Sequence, residues 1–243
     1  MTKYEQATNV GLIRKQNEDS IAVIEPDTFI VADGMGGQAA GEVASRMLIE
    51  TVRNELNAAA LPWNEETLKA AILKANENIL YEARKNSEYE GMGTTATILH
   101  IAQPQESQPQ IITQRAFYAH VGDSRLYKLE QDRLRQITSD HSYVEDLVRQ
   151  GEITEEEARR HPMKNVLTQA VGAVDNLDIE VGSFKVKRGD LFLLCTDGLT
   201  NMVNDEEIFN ILHSTKNPAD DLIAAALSHG GKDNVSVIVV GIL

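Results

Sequence analysis

The run Phe29-Ile30-Val31-Ala32 is a short, wholly apolar β-type segment that stops at Asp33 and then at three glycines, Gly34, Gly36 and Gly37. A buried strand has been brought to an open edge and finished with a carboxylate. Glycine has no Cβ, so the backbone there turns sharply and approaches a ligand closely, with a carbonyl free to bind it. Just beyond, Val43, Met47, Leu48, Val52 and Leu56 recur at helical spacing. Strand, glycine turn and helix together commit the chain to mixed sheet and helix structure and mark a ligand site.

Two ligands suit such a turn. Gly34-Met35-Gly36-Gly37-Gln38-Ala39 satisfies the GxGxxA pattern of a dinucleotide-binding protein, after a strand and before a helix. Against that reading, Asp33 sets a negative charge beside the pyrophosphate. The next segments of the chain are also helix after helix and then a run of strands, not the alternating βαβ of a doubly wound sheet. A cation suits Asp33 better, and a glycine turn that merely closes a strand is the third reading.

At 243 residues and 42% hydrophobic content the chain is long enough to bury a substantial core. The longest polar, proline-bearing stretch, 103–110 (QPQESQPQ), lies between two β-type runs and reads as a hairpin loop, so a single domain over 1–243 is expected. A net charge of −14 argues against a nucleic-acid partner, since phosphate backbones need a basic surface. The single cysteine, Cys195, lies in the apolar run LFLLC, which excludes a disulfide framework and a thiolate zinc site. MTKYEQATNVG has no apolar signal core and no apolar span reaches 18 residues, so a cytoplasmic protein without a membrane partner is expected.

Further aspartates repeat the arrangement of Asp33. Ile21 to Ile24, the turn Glu25-Pro26-Asp27 and Thr28 to Ala32 form a hairpin, and its antiparallel pairing sets Asp19 beside Asp33. Unpaired, two such charges repel by roughly 4 kcal/mol at about 4 Å and intermediate dielectric. A second helix begins at the cap Asn64, with Leu68, Ile72, Ala75, Ile79 and Ala83 on one face. Strands over 94–102 and 111–121 lead to Gly122-Asp123, and 126–129 and 134–138 continue the meander. From 140 to 172 three short charged helices (SYVEDLVRQ, TEEEARR, HPMKNVLTQAVG) form a flap outside the core. Arg188-Gly189-Asp190 turns the strand 179–186 into 191–195, which ends at Asp197; helices over 205–212 and 218–228 precede Asp233 and the last strand, 235–240. If 191–195 and 235–240 are antiparallel, Asp197 and Asp233 share an edge for the same reason as Asp19 and Asp33.

Oxygen-only ligands select the hard cations Mg²⁺ and Mn²⁺, and more carboxylates than one ion needs imply two ions with a bridging water. Such a pair generates hydroxide at neutral pH and clamps an in-line phosphoryl displacement. Arg14, just before Asp19, suits bidentate phosphate binding.

The motifs NEDS at 17–20, VADGMGG at 31–37, GMGTT at 91–95, HVGDSR at 120–125, the segment 140–172, CTDGL at 195–199 and GGKDNVSVIVV at 230–240 resemble, in order, those of the metal-dependent protein phosphatases of type 2C. They are most similar to the minimal bacterial serine/threonine phosphatases of that family. The resemblance implies an α+β fold, an α-β-β-α sandwich of two antiparallel sheets flanked by helix layers. It implies hydrolysis of phosphoserine and phosphothreonine by a metal-bridged water at a binuclear Mg/Mn centre. Carried over by motif, Asp33, Asp197 and Asp233 resemble the core metal ligands, Gly34 binds through its carbonyl and Asp19 through metal-bound water. Asp123, with Asp197, is similar to the site of a weaker third ion, Arg14 to the phosphate-binding arginine, and 140–172 to a flap governing substrate access. The implied partners are phosphorylated proteins made by a bacterial Ser/Thr kinase, met by a monomer.

One departure stands out. Bacterial members commonly carry histidine after the GMGG turn, where this chain has Gln38, which neither gives nor takes a proton near neutral pH. That leaves His161 on the flap, or water, as the acid. A cysteine-dependent phosphatase is excluded because Asn201 stands where its arginine belongs, six residues after Cys195, and a P-loop NTPase because no GxxxxGK[ST] occurs. The non-enzymatic alternative is a pseudophosphatase that binds phosphoproteins without turnover, against which the full set of aspartates argues.

Overall fold

The structure is a computed structural model that describes residues 2–37, 40–103 and 114–243. In chain order its elements are β1 (Thr2–Asn9), β2 (Asp19–Ile24), β3 (Thr28–Met35), α1 (Ala40–Ala58), α2 (Glu65–Lys85), β4 (Gly93–Thr94), β5 (Ala96–Ile101), β6 (Gln114–Val121), β7 (Arg125–Leu129) and β8 (Leu134–Gln136). Next come α3 (Tyr143–Arg149), α4 (Glu155–Arg160), β9 (Glu180–Val186), β10 (Leu191–Cys195), α5 (Asp197–Thr200), α6 (Asp205–Ser214), α7 (Pro218–Ser228) and β11 (Val235–Ile242).

The two-residue alternation of strand side chains decides how these elements layer. In β3, Ile30 and Ala32 join an apolar cluster with Leu48 and Val52 of α1 and Leu68 and Ile72 of α2. Their neighbours Phe29 and Val31 face the other way, onto Phe192, Leu194, Ile238 and Val240 of a second sheet. In β10 the same alternation sends Leu193 and Cys195 outward against Leu199, Ile208 and Leu222. Wholly apolar runs such as FIVA and LFLLC are what strands buried on both faces require. The result is the α-β-β-α sandwich that the motifs imply. One sheet has the order β1-β11-β10-β7-β8, the other β2-β3-β5-β6-β9 with β4 on β3, and neighbouring strands pair antiparallel throughout.

That antiparallel pairing overturns the dinucleotide reading, because β3 and β5 run in opposite directions across α1 and α2 and leave no βαβ crossover. The meander expected after β6 is broken between β6 and β7, while β7 and β8 pair antiparallel as expected. At Gly122 (φ +105) the chain leaves one sheet for the other, it returns between β8 and β9, and at Gly189 (φ +89) it crosses a second time in the first direction, between β9 and β10. Turn residues are alike for a hairpin and a crossover, so sequence does not separate them.

Two of the three flap helices form. The stretch 161–172 is instead extended and turned, because Thr168 N donates to His141 O, Thr94 and Val171 exchange backbone bonds, and Ala170 and Val171 are buried. The flap is thus rooted in the core at its C-terminal end. β1, unread in the sequence, is an edge strand of mostly polar residues paired with β11. No helix among the described residues is long and apolar enough to cross a membrane. Of the polar loop 103–110 only Gln103 lies within the described residues; Gln38 and the strand start at 111–113 lie outside them.

Candidate metal centre

In the β2–β3 register Asp19 stands opposite Asp33. Asp123 follows β6, Asp197 follows β10 at the start of α5, and Asp233 precedes β11. Antiparallel neighbours bring alternate strand ends to one edge, and there all five aspartates meet. Their proximity is visible in the acidity of Asp33, which is held well above the usual carboxylate range by burial and then by Asp19, Asp197, Asp123 and Asp233. Asp123 is raised in the same way by burial, Asp197 and Asp140, with Arg125 opposing, and Asp197 by burial and Asp233.

Asp19 is the most buried of the five. Its Oδ2 accepts from Ser236 Oγ at 2.7 Å and Thr196 Oγ1 at 2.9 Å, while Oδ1 is buried without a partner. Burial, with Asp197 and Asp233 adding to it against the two hydroxyls, pushes its pKa up to about 7. A buried acceptor with nothing to accept costs about 1–3 kcal/mol, more if charged. An all-oxygen set with an orphaned buried oxygen and unrelieved mutual repulsion fits a hard divalent cation.

A second group competes on geometry alone. Among the described residues His120, His141 and Glu180 offer donor atoms all within 4.8 Å of one another. Their lone pairs are already used by the protein. His120 Nε2 donates to Gly122 O at 3.0 Å, so Nδ1 accepts from Thr97 Oγ1 at 2.9 Å, and burial next to His141 lowers its pKa to about 3. Glu180 accepts from Tyr118 Oη and Ser139 N. His120 Nε2 on Gly122 O and His141 Nδ1, which accepts from Gly122 N, brace the turn that carries Asp123.

Gly34 and Gly198 follow two of the aspartates for a reason that residue order did not reveal. A Cβ on Gly34 would lie 2.0 Å from Gly41 O, and one on Gly198 1.8 Å from Asn234 O. Backbone packs on backbone at both positions, which draws α1 and α5 onto the edge.

Arg14 reaches the same edge, its Nη2 donating to Asp233 Oδ2 at 2.8 Å with the side chain half exposed. The residue that seats it was missed. Asn234 is 3% exposed; its Nδ2 donates to Val10 O and Gln16 O, and its Oδ1 accepts from Glu18 N. One buried amide therefore clamps the whole loop between β1 and β2. Its sequence signal, an asparagine directly after Asp233, is too common to single out. Thr196 and Ser236, which hold Asp19, were missed for the same reason.

A cavity of about 600 Å³ runs from Asp123 and Asp197 beneath the flap, lined also by Asp140, Lys164 and Asn201. The flap's base is locked by Arg125, whose Nε and Nη2 fork Asp140 at 2.9 and 2.6 Å. His161 accepts from Met163 N and packs beside Tyr143, and it does not line that cavity.

The sequence profile of protein phosphatase 2C matches residues 14–233. The serine/threonine phosphatase stp of Listeria innocua is 39% identical over 96% of this chain and 93% of its own. The structure of serine/threonine phosphatase Stp1 from Staphylococcus aureus superposes with a TM-score of 0.90 at 33% identity, over 100% of this chain and 96% of that one. The catalytic domain of serine threonine protein phosphatase PstP, solved in complex with 2 manganese ions, does so with a TM-score of 0.85 at 34% identity, over 99% and 97%. With that fold, that edge of aspartates and those relatives, the chain belongs to the protein phosphatase 2C family.

Proposed function

We propose that the acidic edge removes phosphate from phosphoserine and phosphothreonine in proteins, with divalent cations held by its aspartates. The carrying observation is excess negative charge: five carboxylates converge where Arg14 answers Asp233, and Asp19 Oδ1 is buried without a partner. Asp33, Asp197, Asp233, the Gly34 carbonyl and, less directly, Asp19 would hold two core ions, Mn²⁺ or Mg²⁺. Asp123 with Asp197 would hold a weaker third. Such ions lower the pKa of water and offset phosphoryl charge. A metal-bearing reading is supported by a relative, the PstP catalytic domain, solved in complex with 2 manganese ions.

The chain's own residues do the rest. Arg14 spends one N–H on Asp233 and has donors left, among the described residues, for two phosphoryl oxygens. Thr196 and Ser236 fix Asp19, Asn234 fixes the Arg14 loop, and the cavity under the flap receives the polypeptide flanking the phosphate. Gln38 cannot protonate the leaving oxygen, so solvent at the open edge does. The substrates are phosphoproteins of a bacterial Ser/Thr kinase, met in the cytoplasm by a monomer whose residues 1–243 form one catalytic domain with a flap at about 140–172.

Hydrolysis of an aryl phosphate and of a phosphothreonine peptide with Mn²⁺, with Mg²⁺ and with excess EDTA tests this. Turnover should require the ion. Full activity in EDTA overturns the reading, and metal-dependent phosphopeptide binding without turnover makes the protein a pseudophosphatase.

A further inference from the structure

Leu12 and Ile13 are 64% and 68% exposed, the two most exposed large apolar side chains among the described residues. Single exposed leucines are ordinary on a protein surface. This pair differs in where it stands and in how its backbone is held. It immediately precedes Arg14, whose guanidinium lies on Asp233 at the acidic edge.

The loop that carries it is pinned along its length. Leu12 N donates to Gly231 O at 2.7 Å, and Asn234 holds Val10 O and Gln16 O on either side. Gly11, at φ +81, lies so close to the 233 backbone that a Cβ would sit 2.3 Å from Asp233 O. The Leu12 stem lies over Gly231, where a Cβ would meet its Cγ at 3.0 Å, but most of that side chain and of Ile13 stays in water. At position 13 a polar residue, such as Lys15 and Gln16 beyond it, would cost less in water.

Resting on the phosphatase reading above, we infer that Leu12 and Ile13 form an apolar lip that receives side chains next to the phosphorylated residue of a protein substrate. Arg14 fixes the phosphate and the cavity under the flap, which positions 12 and 13 do not line, takes the polypeptide on one side of it, so residues on the other side pass over positions 12 and 13. The occupant is apolar because the lip has no charge to offer, and because a chain of net charge −14 draws little from ionic contact with an acidic phosphopeptide. The lip sorts phosphoproteins by their flanking residues, while the phosphate contact is common to all.

The test compares phosphothreonine peptides flanked by leucine with the same peptides flanked by serine, and both with an aryl phosphate, for wild type, Leu12→Ser, Ile13→Ser and the double variant. The ratio of kcat/KM for the leucine-flanked peptide to that for the aryl phosphate should fall about fivefold per substitution, the worth of partly burying an aliphatic group. Wild type should prefer the leucine-flanked peptide and the double variant should not. Equal losses on peptide and aryl phosphate, or no change in either ratio, overturn the lip. Wild type inert toward the aryl phosphate with Mn²⁺ would instead overturn the phosphatase reading.

Discussion

Asp19 and Asp140 are each 8% exposed and Asp190 is 6% exposed, yet the three are answered in opposite ways. Asp140 accepts the Arg125 fork and Gln136 Nε2, and Asp190 accepts Lys128 Nζ at 2.8 Å and Lys187 N. Asp19 has two hydroxyls on one oxygen and nothing on the other, and its neighbours are more carboxylates. Equal burial therefore carries opposite meanings. A buried carboxylate with its cation built into the chain is structure, and one whose nearest charges repel it is addressed to a ligand from outside.

The largest effect that tests this contrast is on turnover. Asp33→Asn should lower metal-dependent kcat by roughly a thousandfold or more, the several kcal/mol a bound ion contributes to the transition state. Its melting temperature in EDTA should match or exceed that of wild type, because a repelling charge has gone at nearly constant shape. A variant that melts lower in EDTA and keeps the wild-type response to Mn²⁺ would place Asp33 among the structural carboxylates.

Next in size is the paired side of the comparison. Asp140→Ala leaves the partly buried Arg125 guanidinium with Tyr127 Oη but no carboxylate and should cost about 1.5–3 kcal/mol, a melting shift of roughly 5–10 °C for a chain of this length. Asp19→Asn should cost nothing in EDTA. If the two variants melt alike by calorimetry, burial alone governs both and the contrast fails.

Smaller again is the response of wild type to the ion and to protons. Mn²⁺ at about a hundredfold over Kd should stabilise the fold by about 2.7 kcal/mol. In EDTA the sign of the pH dependence follows from Asp19, whose pKa is about 7 in the fold against 3.8 ordinarily. The folded state keeps a proton that the unfolded chain releases, so this stabilisation is full below about pH 4 and is lost as pH rises towards 7. Melting temperature in EDTA should therefore fall between pH 5 and pH 8, and Mn²⁺ should reverse the trend because it competes with those protons. A flat profile in EDTA would mean that the edge is already neutralised.

The smallest effects separate Arg14 from Asp123. Arg14→Ala should raise KM for phosphopeptide about tenfold, the loss of one exposed charge-assisted contact, with metal affinity nearly intact. Asp123→Ala should lower turnover while calorimetry still detects tight metal binding. Loss of all metal binding in Asp123→Ala would move it into the core set.

Much of this was legible in residue order. The hairpin 19–35 appears with the register that sets Asp19 against Asp33, and Asn64 caps α2 in a box with Thr67, because turns and caps are local chemistry. β1 was not legible, since a polar edge strand buries too little to show alternation. Nor was the crossing between sheets at Gly122 and Gly189, where a left-handed glycine permits either outcome and only the destination of the next strand decides.

Sequence by itself determined which residue types end the strands, and hence that acid without a paired base collects at an edge. Tertiary structure alone decided which carboxylates are answered. Arg125 and Asp140 lie 15 residues apart, Arg14 and Asp233 219 apart, and Asn234 reaches back 224 and 218 residues to seat the Arg14 loop. The sign of a carboxylate's contribution depends on charge within a few ångströms, and distance along the chain carries no record of that.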